Sequence, residues 1–301
     1  MQNVSIIGVG RVGGALALAL PENDFRVTDL VARNSQHADL IAAEIEPKPK
    51  VREKNDLTQF DADIVFITTQ DSEIKKVVHE LKEFKPQKET FVFHTSGSLS
   101  SDVLGKLSEV GYCVGSIHPL VSISDSRLGV ERFRGAFFCV EGENRAVALA
   151  EEIARKLGGK SFSIDTENKA LYHASAVTAC GHLVALLDTA FRMFVKSGVD
   201  EDLSKEILMP LIRSTINNLE NQTSSEALTG TFDRVDLETF ERHIEAMKGS
   251  VADDDIRVYL RLGAQSLKLV EKDSKHTERL EQMKERLKLE ESALRKAANG
   301  E

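Results

Sequence analysis

Three glycines near the start of the chain have the spacing of a phosphate-binding loop. Gly8, Gly10 and Gly13 follow the apolar run 4–7 in G-x-G-x-x-G order, and an apolar, helix-like segment comes after them. In a strand–turn–helix these glycines permit a tight turn, close approach of the backbone to a pyrophosphate and close packing of helix on strand. The pattern predicts a dinucleotide site formed by Gly8, Gly10, Arg11, Val12 and Gly13. The alternative is a glycine turn in a doubly wound fold that binds something else.

The end of the second predicted strand, residues 25–32, decides which dinucleotide is preferred. An acidic side chain at that tip holds the ribose 2′-hydroxyl of NAD, whereas an arginine accommodates the 2′-phosphate of NADP. Asp29 lies before the tip, which itself reads Arg33-Asn34-Ser35. Arg33 is able to pair with a phosphate in a bidentate way, so the sequence favours NADP. In the alternative, Arg33 is a solvated loop charge and Ser35 only caps the next helix.

Further polar side chains follow predicted strands, at the edge where open α/β sheets bind ligands. Thr68 and Thr69 end the buried strand that begins at residue 63, and His94 and Thr95 follow the next strand. We expect these four residues to contact the cofactor. The alternative is that they only shape polar turns.

Candidate proton-transfer residues come from a strand end and from a helix. His118 follows a predicted strand over 112–117, while Lys169, Tyr172 and His173 share one stripe of a predicted helix. Histidine acts as acid or base near neutral pH. If the stripe faces the strand ends, it converges with His94 and His118 in one cleft, and His118, Lys169 and His173 are the predicted catalytic residues.

Structural roles are the alternative for the same side chains. The histidines then tie down loops or fill the core, and Lys169 and Tyr172 belong to a solvated helix start. A metal site formed by His94, His118 and His173 is a further alternative. Their sequence spacing does not require one, so no metal is expected.

Composition limits the classes of partner. The chain has 301 residues and a formal net charge of −9, which argues against nucleic acid or an anionic membrane as the main partner. We expect no membrane span and no signal peptide, because the N-terminus leads straight into a strand. Cys113, Cys139 and Cys180 lie far apart without a C-x-x-C pair. Reduced thiols in a cytoplasmic protein are the simplest interpretation.

The order of patterns predicts an α/β fold with a change of architecture part-way. Strands alternate with helices at first, and only helical patterns follow. We predict a Rossmann-like doubly wound sheet in residues 1–165, an all-helical domain in 166–272 and a charged helix in 273–301. The predicted helices include 36–45 with Ser35 as its cap, a helix capped by Ser72 that ends at Leu81, 144–157, 167–196, 202–221, 237–248 and 253–272.

The last predicted helix has a sparse apolar stripe. Leu280, Leu287 and Leu294 recur every seventh residue, with Met283 between the first two. The stripe is too short to indicate a coiled coil. We expect a solvated amphipathic helix that packs on its own domain or on a second subunit.

Five stretches together resemble a known but poorly characterised family. They are Ile7-Gly8-Val9-Gly10-Arg11-Val12-Gly13, His94-Thr95-Ser96-Gly97, His118-Pro119-Leu120, Lys169-Ala170-Leu171-Tyr172-His173-Ala174, and Ala227-Leu228-Thr229-Gly230 with Arg234 and Asp236. In that family a Rossmann-like domain precedes a helical domain of unknown function. It is related to pyrroline-5-carboxylate reductase, ketopantoate reductase and the deazaflavin-dependent NADP oxidoreductases.

The resemblance implies NADP binding and hydride transfer to or from a small C=O or C=N substrate, without naming that substrate. It also implies a helical domain like the C-terminal domain of 6-phosphogluconate dehydrogenase, which closes over the nicotinamide and pairs two subunits. A lysine early in the long helix transfers a proton in the related hydroxyacid dehydrogenases, and Lys169 has that sequence context.

Three positions depart from the family pattern. Gly181 stands where the pattern has Asn, and Thr231 and Val235 stand where it has Pro and Gly. Either the substrate differs or activity has been lost. The alternative function is therefore a non-catalytic NADP-binding sensor or scaffold.

Overall fold

The computed structural model describes residues 1–53, 61–271 and 277–299. The chain falls into two compact units, Met1–His182 and Leu183–Glu301. The division lies later in the chain than the predicted boundary at residue 165, because the helix that starts at Lys169 is anchored in the first unit.

One sheet of eight strands forms the centre of the first unit. The strands are β1 Gln2–Ile7, β2 Phe25–Ala32, β3 Lys50–Glu53, β4 Ile64–Ile67, β5 Phe91–His94, β6 Cys113–Pro119, β7 Phe137–Gly142 and β8 Lys160–Phe162. Their order is β3-β2-β1-β4-β5-β6-β7-β8. The first six strands are parallel, while β7 runs antiparallel to β6 and β8 parallel to β7. This is the Rossmann order 3-2-1-4-5-6, and it confirms the predicted fold class.

Helices cover both faces of the sheet, as a doubly wound fold requires. The helices of this unit's sheet region are α1 Arg11–Ala19, α2 Ser35–Ala42, α3 Asp71–Leu81, α4 Gly105–Ser108, α5 Ser126–Arg132 and α6 Asn144–Lys156. One core joins α1, α2 and α6 to the sheet, and a separate core joins α3 and α4 to its other face. All four residues of β4 are buried, because this central strand is covered from both sides.

Helix α5 is an element that the sequence patterns did not predict, and it packs closely on α1. A Cβ on Gly14 would lie 2.6 Å from Ser126 Oγ, and a Cβ on Gly129 would lie 2.6 Å from Ala15 Cβ. Glycine at both positions therefore allows the two helices to approach. Ser126 Oγ also donates a hydrogen bond to Gly10 O at 3.3 Å, which braces the glycine loop.

Two predicted helix starts need correction. Asn34, rather than Ser35, is the N-cap of α2, because its backbone is extended and its side chain accepts a hydrogen bond from His37 N. Ser35 is therefore the first helical residue. The helix ends at Ala42. Gln70 is the N-cap of α3, which places Ser72 inside the first turn.

The long apolar helix predicted over 167–196 is interrupted. A 3-10 turn, Thr166–Asn168, leads into α7 Lys169–Ala179, and α8 Gly181–Lys196 follows. Between them Cys180 has φ −115° and ψ −69°, which departs from helical geometry. Gly181 comes next, and glycine is a poor helix former.

The run Thr166–Lys196 also corrects the expectation about membrane spans. Its mean hydropathy reaches 1.4 over 18 residues, so it is long and apolar enough to cross a membrane by length and composition. One such run is weak evidence, since a helix that packs its apolar face against protein passes the same test. None of the residues of that 18-residue window is buried within the chain.

The second unit is helical. It contains the rest of α8, then α9 Glu201–Asn221, α10 Ser224–Ala227, α11 Leu237–Met247, α12 Asp253–Val270 and α13 Thr277–Asn299. Its core combines α11, α12 and α13 around Phe240, Leu260 and Met283. The predicted end of α12 at Lys272 and the predicted start of the charged segment at residue 273 lie outside the described residues.

Helix α13 packs on its own unit. Leu280, Met283 and Leu287 are almost fully buried against α11 and α12, and Leu294 is partly buried. The leucines that recur every seventh residue therefore pack within the chain. This agrees with the first of the two expected arrangements, in which the helix packs on its own domain.

Val235 has an unusual backbone in the second unit. It is 3% exposed and has φ +50°, and it is the one described non-glycine residue with a positive φ. This is the position where the family resemblance led us to expect glycine, the residue that tolerates such a conformation.

Candidate cofactor and substrate clefts

The first cleft lies at the carboxyl ends of β1, β2 and β4 and surrounds the glycine loop. It measures about 280 Å³ and is lined by residues 7–10, 31–34, 68–70 and 73. Gly8 has φ +105°, and a Cβ there would lie 2.8 Å from the backbone of Thr68. Gly8 therefore makes the tight turn that the motif predicts.

Gly10 and Gly13 have different surroundings. A Cβ on Gly13 would lie 2.1 Å from Gly8 O and 2.4 Å from Thr68 Oγ1, so glycine here lets α1 close on β1. A Cβ on Gly10 would meet no atom within 4 Å. Helix α1 has no side-chain cap and no acidic residue in its first turn, so its first N–H groups are free to bind an anion. The loop is thus a cradle that a side chain at Gly10 would fill.

The tip of β2 gives the first cleft a basic end. Arg33 and Asn34 line the cleft, and both are exposed. Asp29 is 6% exposed and accepts a hydrogen bond at 2.6 Å from Arg52 Nε, in an ion pair. Because the carboxylate of Asp29 is paired with Arg52 on β3, we do not expect it to bind the ribose of a cofactor. Ser35, in the first turn of α2, lies beside this end but does not line the cleft.

Threonines border the other side of the first cleft. Thr68 Oγ1 donates to Gly8 O and to Ile7 O, which fixes the loop. Thr69 Oγ1 is buried and has no hydrogen-bond partner among the described residues, so it is available to a ligand in this cleft. Thr95 N donates to Ile67 O at 3.2 Å at the same sheet edge, but Thr95 lines neither cleft.

A second cleft lies beyond the carboxyl end of β6 and along α7. It measures about 480 Å³, and His118, Tyr172 and His173 line it. His118 Nδ1 is 2.7 Å from Tyr172 Oη, and the rings of His118 and His173 meet edge to face with centroids 5.8 Å apart. A Cβ on Gly97 would lie 2.8 Å from His118 Nε2 and 2.3 Å from His173 Cδ2. Glycine at 97 therefore leaves room for both rings.

The protonation of His118 follows from its surroundings. Burial, and then the nearby Lys169 cation, lowers the pKa of His118 to about 4, so the ring is neutral at pH 7. Burial raises the pKa of Tyr172, so the phenol stays protonated at pH 7, and either the phenol or the ring can donate the hydrogen bond between Oη and Nδ1. With Tyr172 as the donor in this bond, the proton of the neutral ring lies on Nε2, on the side of Gly97. A neutral imidazole N–H can polarise a carbonyl oxygen or an imine nitrogen.

Lys169 lies behind this cleft. It is 1% exposed, and its Nζ donates to Ser116 Oγ at 2.8 Å and to Glu141 Oε1 at 3.2 Å. Glu141 also accepts from Ser101 N and Ser101 Oγ. The network anchors the first turn of α7 to the sheet end. The proton-transfer role predicted for Lys169 stays a prediction, and this geometry favours a positioning role instead.

His94 is fully buried. Its Nδ1 accepts a hydrogen bond from Ser96 N at 3.2 Å, and its Nε2 has no partner among the described residues. Burial, and then Lys169, lowers the pKa of His94 to about 4. The side chain offers no exposed atom to a cofactor. The expected cofactor contact of His94 is therefore unsupported, and the ring braces the loop after β5.

The predicted stripe on α7 does face the strand ends, so it brings Tyr172 and His173 to His118. Sequence reasoning gave Tyr172 no role and missed Glu141 altogether. A signal existed for Glu141, because it is a charged residue within the otherwise apolar strand β7. Among the described residues, no three His, Cys, Asp or Glu side chains are placed to hold a metal ion.

Comparisons with known proteins agree with this architecture. Residues 1–119 match a Rossmann-like domain, and residues 136–266 match a domain of unknown function, DUF2520. Each match covers less than half of the chain, and together they place a DUF2520-like segment after a Rossmann-like one. None of the curated proteins compared matches it in sequence.

Solved structures share the fold over most of the chain. A Bacteroides fragilis protein proposed to be an NADP oxidoreductase is 22% identical, with a TM-score of 0.68, covering 90% of this chain and 98% of its own. A pyrroline-5-carboxylate reductase from Coxiella burnetii is 16% identical, with a TM-score of 0.54 and coverages of 94% and 98%. A reductive aminase from Aspergillus terreus, in complex with NADPH and ethyl levulinate, is 12% identical, with a TM-score of 0.59 and coverages of 91% and 95%. At these identities the likeness establishes the fold alone.

Proposed function

We propose that this protein is an NADP-dependent oxidoreductase that transfers hydride to or from a C=O or C=N group of a small substrate. One observation carries the proposal. At a single edge of the sheet, a glycine-loop cleft with a basic end accompanies a cleft lined by a neutral histidine, a tyrosine and a second histidine. The fold is shared with NADP-dependent oxidoreductases, and a relative that binds NADPH supports the choice of cofactor.

The residues of the first cleft fit NADP. Gly8, Gly10 and Gly13, with the first N–H groups of α1 at Arg11 and Val12, would hold the pyrophosphate. Arg33, with Asn34 and Ser35 beside it, would hold the 2′-phosphate, since Asp29 is paired with Arg52. When bound, the nicotinamide supplies or accepts the hydride.

The residues of the second cleft would act on the substrate. His118 Nε2–H donates a hydrogen bond to the reacting oxygen or nitrogen and stabilises the negative charge that develops there. Tyr172 keeps the imidazole in the required tautomer, and His173 limits the movement of the ring. Lys169 and Glu141 hold α7 in place.

Titration calorimetry with NADPH and NADH tests the cofactor assignment. We expect NADPH to bind more tightly than NADH, and Arg33→Ala to weaken NADPH about tenfold or more while leaving NADH nearly unchanged, because only NADPH carries the 2′-phosphate. Arg127→Ala is the matched control, since Arg127 is an exposed arginine outside this cleft that pairs with Glu44. Equal affinity for both cofactors, or no binding, would reject the assignment.

Turnover separates an enzyme from a sensor. We expect NADPH oxidation with members of a panel of small ketones, aldehydes and imines, and a loss in His118→Gln that leaves NADPH affinity unchanged. NADPH binding without turnover of any member would favour the non-catalytic sensor or scaffold.

We also propose a homodimer formed through the helical domain. Helix α8 has no buried residue, and α9 buries only Ser204. Apolar side chains on both are exposed, among them Val184 at 66% and Leu211 at 64%. Helices in water are stabilised mainly by packing an apolar face, so these helices need a partner, and a second copy supplies one.

We also propose a cytoplasmic location. Cys113, Cys139 and Cys180 are all free, which agrees with a reducing, cytoplasmic environment.

A further inference from the structure

The wall of the second cleft combines an apolar part with a few polar groups. Leu120 and Val121 continue from the end of β6, and Ala176, Val177 and Ala179 line it from α7. The polar groups on this wall are His118, Tyr172, His173, two serines and the thiol of Cys180. Neither a lysine nor an arginine is among the described residues that line it.

Lys169, at the start of α7, does not line the cleft. Lys169 is almost fully buried, and its Nζ is engaged by Ser116 and Glu141. His118 carries no charge at neutral pH, because burial lowers its pKa to about 4. A carboxylate seated against this wall would meet apolar side chains and no lysine or arginine, whereas an apolar substrate would gain hydrophobic contacts there.

We propose that the substrate is an uncharged, largely apolar ketone, aldehyde or imine, whose C=O or C=N accepts a hydrogen bond from His118 Nε2–H. This inference rests on the proposed function. In the reducing direction the substrate carbon gains hydride from NADPH, which becomes NADP⁺. The π electron pair moves to oxygen or nitrogen, which takes one proton delivered from solvent through His118. Atoms and electrons therefore balance without another reactant.

A matched pair of ketones tests the substrate class. Methyl 4-oxocyclohexanecarboxylate and 4-oxocyclohexanecarboxylate share the ring and the reacting carbonyl, and differ in charge. With the full-length protein and saturating NADPH, we expect kcat/KM for the ester to exceed that for the acid about tenfold or more, because the ester group gains apolar contacts on this wall and the carboxylate gains no lysine or arginine partner there.

A charge introduced into the wall should reverse this preference. Val177 lines the cleft from α7 and is 37% exposed, so a longer side chain fits there without core disruption. We expect Val177→Arg to raise kcat/KM for the acid relative to the ester about tenfold. Val177→Gln, which has length without charge, should leave the wild-type preference in place. NADPH affinity and sedimentation of both variants should match the wild type.

The outcomes separate the two proposals. No binding of NADPH by calorimetry would reject the proposed function itself. NADPH binding with preference for the acid, or with equal rates, would overturn the substrate class and leave the proposed function standing. NADPH binding without reduction or binding of the ester would also overturn the substrate class.

Discussion

Gly10 and Gly13 are neighbours in one loop, but the two positions restrict the chain for different reasons. Gly13 has no space for a side chain, because Gly8 O and Thr68 Oγ1 occupy it. Gly10 has space on the protein side, and its restriction would come from a ligand. Stability and cofactor binding should therefore respond differently at the two positions.

We predict that Gly13→Ala lowers the free energy of unfolding by about 1–3 kcal/mol, because the methyl group forces α1 away from β1. Gly10→Ala should change it by less than about 0.5 kcal/mol, yet weaken NADPH because the methyl enters the phosphate cradle. Urea unfolding and calorimetric titration measure the two quantities. An unstable Gly10→Ala variant, or one with unchanged NADPH affinity, would contradict this assignment.

The buried histidines predict how stability depends on pH. His118 and His94 both have a pKa lowered from the ordinary 6.5 to about 4, so the folded state binds these protons more weakly than the unfolded chain. The contribution of the two neutral histidines to the free energy of unfolding is complete above pH 6.5 and is lost as the pH falls toward about 4. The stated shift corresponds to roughly 3 kcal/mol for each ring.

We expect His118→Gln to flatten the fall in unfolding free energy between pH 6.5 and 4, since the glutamine has no proton to take up. His79→Gln is the control, because His79 is exposed on α3. Unfolding by urea at a series of pH values measures the slope. A slope unchanged in His118→Gln would mean that this ring is not held neutral by the fold.

At the scale of elements, α13 shows how a charged helix becomes part of a core. Its Lys- and Glu-rich sequence indicates a solvated surface, but Leu280, Met283 and Leu287 face α11 and α12. Ion pairs such as Lys248–Glu290 lie at the rim of this contact. The helix is therefore a structural part of the second unit, and removal of its apolar stripe should destabilise that unit.

We predict that Met283→Ala lowers the unfolding free energy by about 2–4 kcal/mol, since Met283 is 0% exposed and its loss leaves a cavity. Leu289→Ala on the same helix should have an effect within about 0.5 kcal/mol, because Leu289 is 61% exposed. Thermal or urea unfolding followed by circular dichroism compares them. Equal effects would show that α13 is not packed as described.

At the scale of the whole molecule, the main question is what covers α8 and α9. Their exposed apolar residues fit the proposed dimer, while Thr166–Lys196, which includes α8, also has the length and hydropathy of a membrane span. The two occupants are distinguishable by experiment. Sedimentation velocity reports self-association, and flotation with lipid vesicles reports membrane binding.

We expect the wild-type protein to sediment as a dimer and to remain unbound by vesicles. Leu211→Glu on α9 should shift it to monomer, because a carboxylate would be buried in the interface. Leu40→Glu should leave the dimer intact, since Leu40 is exposed to a similar degree, 60% against 64%, but lies on α2. A monomeric wild type, or flotation with vesicles, would reject the dimer.

Local patterns were sufficient for much of the fold. The strand Phe25–Ala32 and the helix from Asn144 agree with the predicted bounds to within a residue. Buried strands and amphipathic helices can be predicted in this way because their apolar residues recur with a fixed period along the chain. The helix caps at Asn34 and Gln70 were mispredicted, because a cap depends on the backbone angles of one residue. Helix α5 was missed, because it is short and its glycines pack on α1.

The sequence by itself determined the Rossmann-like sheet, the glycine loop and the stripe of polar residues on α7, because each depends on residues close together in the chain. Only the tertiary structure decided which polar residues reach a cleft. It buried Lys169 against Glu141 and Ser116, paired His118 with Tyr172 and enclosed His94. Burial and charge pairing arise between residues that are distant in sequence, and they set which side chains are neutral, buried or free to act.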